Sequence, residues 1–176
     1  MCSVSKEILR QLLMGGDRRS IAQSDRARAV VNQNPRLVSD LVRFAEDNDW
    51  LISLRALDLL EKIAHDHPDW IAPYKELFIS PLAEADKWEI RLQIVRALPL
   101  FDWAIEDLDR VKAILLENVT HPQKFVQAWA LDSLATFATR DRRLMRTVRK
   151  YLAQFEQSGS KALQARARKI RRRIEA

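Results

Sequence analysis

The chain has 176 residues, enough for one domain with its own core and too few for two ample ones. Its 47% hydrophobic content excludes wholesale disorder, and no apolar run reaches the roughly 18 residues of a membrane span. The single cysteine, Cys2, excludes a disulfide framework and a cysteine-based zinc site. The net charge of +6 conceals an imbalance: residues 140–176 carry thirteen Lys/Arg against three acids, a local +10, while the first 139 residues sum to −4. Such asymmetry fits either a basic contact surface or a solubilising end cap. Three glycines and the lack of β-branched clusters between turn signals argue against sandwiches and barrels. Met1–Arg10 shows no signal-peptide pattern, so a cytoplasmic protein is expected.

Local signals cut the chain into helices. The first spans about 4–14 and stops at Gly15-Gly16, which tolerate the positive φ of a helix C-terminal cap. Asp17 is placed to cap a helix running to about Gln33. Asn34-Pro35 restarts the chain with an N-cap and a proline in the first turn, giving a helix to about 45. A helix over 49–65 follows. His67-Pro68 repeats the restart, with Asp69 where the helix dipole favours a negative charge, for a helix over 68–79. Pro81 begins a short extra turn. Asp86 and Glu89 have capping-box spacing at the head of a helix over 86–100, which Pro99 kinks or ends. Helices over 106–119, 122–138 (opened by Pro122), 141–156 and 160–175 (opened by Ser160) complete the chain.

Within this text a four-residue signature recurs: Leu57-Asp58-Leu59-Leu60, Val95-Arg96-Ala97-Leu98 and Leu131-Asp132-Ser133-Leu134, at spacings of 38 and 36 residues. A period of that size in helical text marks stacked helix pairs. The pairs are 17–33 with 35–45, 49–65 with 68–79, 86–100 with 106–119, and 122–138 with 141–156. The first helix of each pair is apolar around most of its circumference and therefore sandwiched, leaving a narrow polar face: Arg55, Asp58 and Lys62, then Glu89, Gln93 and Arg96. The second helix has one wet side, as Leu144, Val148, Tyr151, Leu152 and Phe155 share one face at about 100° per residue.

The stretches Trp50–Ile63, Trp88–Leu100 and Phe125–Phe137, each followed by a second helix, resemble the HEAT-repeat superfamily over nearly the whole chain. The closing Ser158–Lys169 is similar to the end of a family of small bacterial HEAT-like, ARM-type proteins of unassigned activity. The resemblance implies an all-α fold, a right-handed alpha-alpha superhelix of four to five stacked helix pairs forming a single domain over 1–176. It also implies binding rather than chemistry, because solenoids offer extended surfaces to partners.

Catalytic motifs are sparse. His65 and His67 would point about 200° apart on a helix and so could not share a metal there, and no third ligand is placed by the sequence. His121, before Pro122, reads as a cap. Glu106, Asp107 and Asp109 sit at a helix start, where the dipole accounts for them. There is no phosphate loop, nucleophile elbow or zinc-protease helix. Trp103 and Asp107 are spaced like the aromatic–acid pair of HEAT-like alkylpurine DNA glycosylases, but Trp103 lies in or beside a loop and no matching downstream tryptophan follows.

Two departures from the repeat stand out. Trp129 replaces Arg55 and Gln93 on the narrow polar face, with Phe125 one turn earlier and Asp132 and Thr136 after it. This is a candidate docking or self-association patch, unless the following helix covers it. The second is a pair of basic rows: Arg142, Arg146 and Arg149 opposite one apolar stripe, and Lys161, Arg168 and Arg172 with Lys169 close by, opposite the stripe Leu163, Ala167, Ile170 and Ile174. Arg166, Arg171 and Arg173 fall on the flanks. Guanidinium rows suit phosphate or carboxylate partners. The reading is a non-catalytic module that binds another protein, with nucleic-acid binding by the basic rows as the alternative. No cofactor, metal or membrane is implied, and a homo-oligomer stays open.

Overall fold

A computed structural model describes residues 2–17, 22–139 and 141–175, with 2–5 as backbone only. Its α-helices are α1 (Cys2–Leu13), α2 (Ser24–Gln33), α3 (Val38–Ala45), α4 (Trp50–Asp66), α5 (Pro68–Ile71), α6 (Trp88–Ala97), α7 (Ile105–Val119), α8 (Lys124–Ala138), α9 (Arg142–Gln157) and α10 (Lys161–Glu175). Short 3₁₀ segments lie at Pro35–Leu37, Ala72–Ile79, Pro81–Glu84 and Leu98–Leu100. No strand occurs among the described residues, and no described helix is long and apolar enough to cross a membrane. The chain divides into two compact units, Met1–Leu82 and Ala83–Ala176.

In the first unit α1, α2, α3 and α5 all pack on α4. Residues Ile52–Leu57 of α4 are buried without a break. Six consecutive positions at 100° per residue cover every direction around a helix, so α4 is enclosed on all sides. Its polar side chains must then find partners inside. Ser53 Oγ donates to the Ala45 carbonyl at 2.6 Å. Arg55, only 6% exposed, donates to the carbonyls of Leu13 (2.7 Å) and Asp17 (3.1 Å) at the end of α1. At Arg55 the expected narrow polar face is therefore an internal tie. Asp58 and Lys62 pair at 2.6 Å, and Lys62 reaches Ser24 Oγ.

The second unit repeats the plan. α6, α7, α9 and α10 pack on α8, whose residues Ala130–Ala135 are buried in succession. Ser133 Oγ donates to the Val95 carbonyl of α6 at 2.6 Å. Residue 95 would take its helical hydrogen bond from residue 99, which is proline and has no N–H. α6 accordingly ends at Ala97 in a 3₁₀ turn, and the serine of the neighbouring repeat supplies a donor to the carbonyl that Pro99 orphans.

Several boundaries differ from the sequence expectation for identifiable reasons. The helix assigned to 17–33 is seen as Ser24–Gln33 with Gln23 as N-cap; residues 18–21, on which Asp17 capping depends, lie outside the described residues, as do Arg140 and the Cys2 side chain. Gly15 and Gly16 adopt φ of 86° and 70° beyond α1, as a positive-φ stop requires. Asn34 precedes Pro35 without a side-chain cap bond and leads into a 3₁₀ turn before α3. The segment 68–79 is α-helical only to Ile71, and the 3₁₀ stretch with Pro73 in its first turn carries the rest.

No capping box forms at Asp86. Lys87 is the N-cap of α6, without a side-chain cap hydrogen bond, which puts Glu89 one position too early to close the box. Arg91 fixes this approach by donating to the carbonyls of Ala85 (2.8 Å) and Glu84 (3.0 Å). α8 begins at Lys124, two residues after Pro122, because His121 Nδ1 accepts the Gln123 N–H at 3.0 Å and closes a turn first. Ser160 opens α10, its hydroxyl accepting the Leu163 N–H at 3.4 Å.

Two predictions follow from these bonds. Ser133→Ala should lower stability in urea titration by about 1–3 kcal/mol, because a buried carbonyl loses its donor. In a Pro99→Ala background, where residue 99 regains an N–H, the same change should cost about 1 kcal/mol less; additive effects would refute the link. His121 must be neutral with its proton on Nε2, since Nδ1 accepts. Burial, then Arg91, lowers its pKa. A folded pKa below the unfolded value of about 6.5 means the contribution is complete above that pH and is lost as pH falls through the folded value. The Gln123 amide shift in NMR should titrate with a midpoint below about 6.5.

Candidate interaction surfaces

Phe125, Trp129, Asp132 and Thr136 recur at helical spacing along one side of α8. Phe125 is 58% exposed, one of four large apolar side chains that face water among the described residues. Trp129 is half-buried. Its ring lies between two guanidinium groups: Arg166 of α10 at 3.8 Å from the centroid and Arg96 of α6 at 5.0 Å. The cover expected from the following helix, α9, thus comes from the helices on either side in the row of first helices. Cation–π contacts of this kind contribute about 0.5–2 kcal/mol and hold the indole in one orientation.

One turn on, Asp132 is buried at 6% exposure. Arg166 Nη1 meets its Oδ2 at 2.5 Å and Arg173 Nη1 its Oδ1 at 2.7 Å. Arg173 Nη2 also donates to the Asp132 carbonyl at 2.8 Å. Arg166 and Arg173, assigned by the sequence only to the flanks of the last helix, are therefore the groups that fasten α10 to α8. The available signal was Asp132 itself, an acid inside an otherwise apolar signature that burial obliges to find a cation.

The basic rows are both on the surface. On α9 the buried stripe is Leu144, Val148, Leu152 and Phe155, with Tyr151 half-buried beside it. Arg142, Arg146 and Arg149 are exposed and line one shallow depression with Met145. Asp141 caps this helix, accepting the N–H groups of Arg143 and Leu144 at 3.0 Å each, and also meets Lys112 at 3.0 Å. The Leu144 N–H first, then Lys112, hold its carboxyl below the usual range. On α10, Leu163, Ala167 and Ile170 are buried, while Lys161, Arg168, Lys169 and Arg172 are exposed.

Arg171 joins the two helices. Its guanidinium grips Glu156 through Nε at 2.7 Å and Nη2 at 2.8 Å, and reaches Glu175 at 3.1 Å. This pairing depresses the Glu156 pKa and raises that of Arg171. It also sets the relation between the rows. At 100° per residue Arg149 lies within about 20° of Glu156 around α9, and Arg168 within about 60° of Arg171 around α10, each displaced away from its own buried stripe. The rows therefore flank one seam on the outer side of the α9–α10 pair.

The other polar residues weighed for chemistry have local partners. His65 Nε2 sits 3.0 Å from Glu61, while His67 stacks on Trp70 at 3.9 Å, so the two histidines face different neighbours. No group of three or more His, Cys, Asp or Glu converges among the described residues. Trp103 donates its indole N–H to the Leu98 carbonyl at 2.7 Å and meets Phe101 edge-on. Glu106 and Asp107 lie in the first turn of α7.

Asp132→Asn keeps the shape and removes the charge that two arginines share. It should destabilise the chain by about 2 kcal/mol and release hydrogen-exchange protection first at Ala167 and Ile170 of α10. Unchanged protection there would show that apolar packing alone holds the helix.

No family model and no curated protein matches the chain. Solved structures do resemble it. Two engineered proteins from the Northeast Structural Genomics Consortium align with TM-scores of 0.63 and 0.64, at 18% and 20% identity. The first alignment covers 99% of this chain and 86% of that one, the second 97% and 79%. A computationally designed armadillo repeat protein for modular peptide recognition aligns with a TM-score of 0.57 at 16% identity, over 99% of this chain and 80% of that one. At these identities the likeness is one of fold, and the fold is an all-helical repeat of the α-solenoid class.

Proposed function

We propose that the chain is a non-catalytic helical-repeat module that binds another protein, docking an apolar segment of it against Phe125 and Trp129 on α8. The observation that carries this reading is the exposure of Phe125 beside a tryptophan already held in place. Aromatic anchors supply much of the energy of protein interfaces, and a ring fixed before binding loses little conformational freedom on binding. Exposing Phe125 to water has a cost that the fold does not require, since Val126, Ala128 and Ala130 on the same helix are buried. The use of a like fold for peptide recognition in the designed armadillo repeat protein supports a protein partner. The local partners of His65, His67 and Trp103 support a scaffold rather than a catalyst.

The test is capture by the full-length protein from its own cells, with and without nuclease, followed by calorimetric titration of the recovered partner. Capture should survive nuclease. Phe125→Ala should change stability by no more than about 0.5 kcal/mol, as exposed substitutions do, and weaken partner binding at least tenfold, about 1.4 kcal/mol. Capture abolished by nuclease, or a variant that binds as well as the parent, would overturn the reading.

A further inference from the structure

The outer side of α9 and α10 is a second surface, separate in residues and in chemistry from the α8 face. Residues 141–175 contain twelve Lys/Arg and three acids. Each acid is already bonded: Asp141 to Lys112, Glu156 and Glu175 to Arg171. Arg166 and Arg173 are engaged by Asp132. The remaining nine bases are all solvent-exposed, and among the described residues no ion pair joins any of them to a carboxylate. Six are arginines: Arg142, Arg143, Arg146, Arg149, Arg168 and Arg172.

A repeat end needs a polar outer face to stay soluble, but polarity of both signs serves that purpose. α7 in the same unit shows the ordinary solution, exposing Glu106, Asp109 and Arg110 together. On the outer side of α9 and α10 the acids Glu156 and Glu175 are both held by Arg171, and the nine exposed bases far outnumber them. We infer that this surface binds the phosphate backbone of duplex nucleic acid without reading its sequence.

Three features select that partner. Rows of guanidinium groups bind phosphate oxygens bidentately. The rows lie on rigid helices about 22–24 Å long and flank one seam, so they present fixed charges over a length along which a duplex offers one phosphate charge per about 1.7 Å. The large apolar side chains exposed among the described residues are Ile8, Met14, Ile105 and Phe125, and none lies on α9 or α10. The surface thus has no wedge to enter a bilayer, no exposed aromatic on which unpaired bases would stack, and no apolar anchor of the kind protein interfaces use.

The test is fluorescence anisotropy of the full chain with a labelled duplex of about 20 bp, across salt from about 50 to 200 mM. With four or five cations engaged, affinity should fall about 10²- to 10³-fold over that range, independently of duplex sequence. The variant R146Q/R149Q/R168Q/R172Q alters only exposed side chains outside the Asp132 and Glu156 pairs. It should melt as the parent does, bind at least tenfold more weakly at low salt, and show a salt slope reduced by about one per engaged cation removed. Phe125→Ala should bind duplex as the parent does, which separates this surface from the α8 face. Absence of duplex binding at low salt, or an unaffected quadruple variant, would overturn the inference. So would tighter binding of a single strand or of polyglutamate of equal charge, which would point to base stacking or to an acidic protein.

Discussion

Enclosure of the middle of α4 and of α8, over residues 52–57 and 130–135, is the constraint from which the rest of the structure follows. A helix packed by four others cannot carry polar side chains unless each finds a partner before water is excluded. Four of the groups that meet this also tie their helix to another. Arg55 takes the carbonyls at the end of α1, Ser53 takes the end of α3, Ser133 takes the carbonyl that Pro99 leaves orphaned, and Asp132 takes two arginines of α10. Apolar contact supplies most of the stabilisation and is nearly indifferent to small rotations of one helix on another. These hydrogen bonds are directional, so they fix the rotational setting of each helix within its unit.

Much of this arrangement is legible in the sequence because it rests on local rules. The spacing of 38 and 36 residues locates the repeats, Gly15-Gly16 the end of α1, and Ser160 the start of α10, each through the conformation of a few adjacent residues. The starts expected at Asp86 and Pro122 lie two residues later in the structure because side chains hold the approach: Arg91 ties the chain before α6, and His121, read as a cap, closes a turn before α8. The same limit applies to the candidate surfaces. Helical periodicity separates Arg168 from the buried stripe of α10 correctly. It does not say that Arg166 and Arg173 are internal clamps, because their partner Asp132 is 34 and 41 residues away in the chain.

That distinction alters what the charge imbalance means. Thirteen bases against three acids in the last 37 residues reads as an undivided basic segment, whereas the folded chain sorts it by role. Three arginines fasten α10 to α8 and α9. The acids of the same segment go to those contacts and to the cap of α9, so none is left to neutralise the bases that face out. Like charges along a helix repel, and the outward bases make no compensating ion pair among the described residues. The clamps at Asp132 and Glu156 offset that repulsion locally while leaving the outward field intact.

Arg166 connects the two surfaces. Its guanidinium stacks on Trp129 and pairs with Asp132, so the group that anchors the basic last helix also fixes the aromatic ring of the α8 face. Stacking and ion pairing use different parts of a planar guanidinium, its face and its edge, which is why one arginine can do both and a lysine could not. A partner that pulled α10 from its seat would therefore remove the nearer of the ring's two guanidinium covers at the same time. The two surfaces share no exposed residue, yet the aromatic one takes its present form only while the helix carrying the basic one is docked.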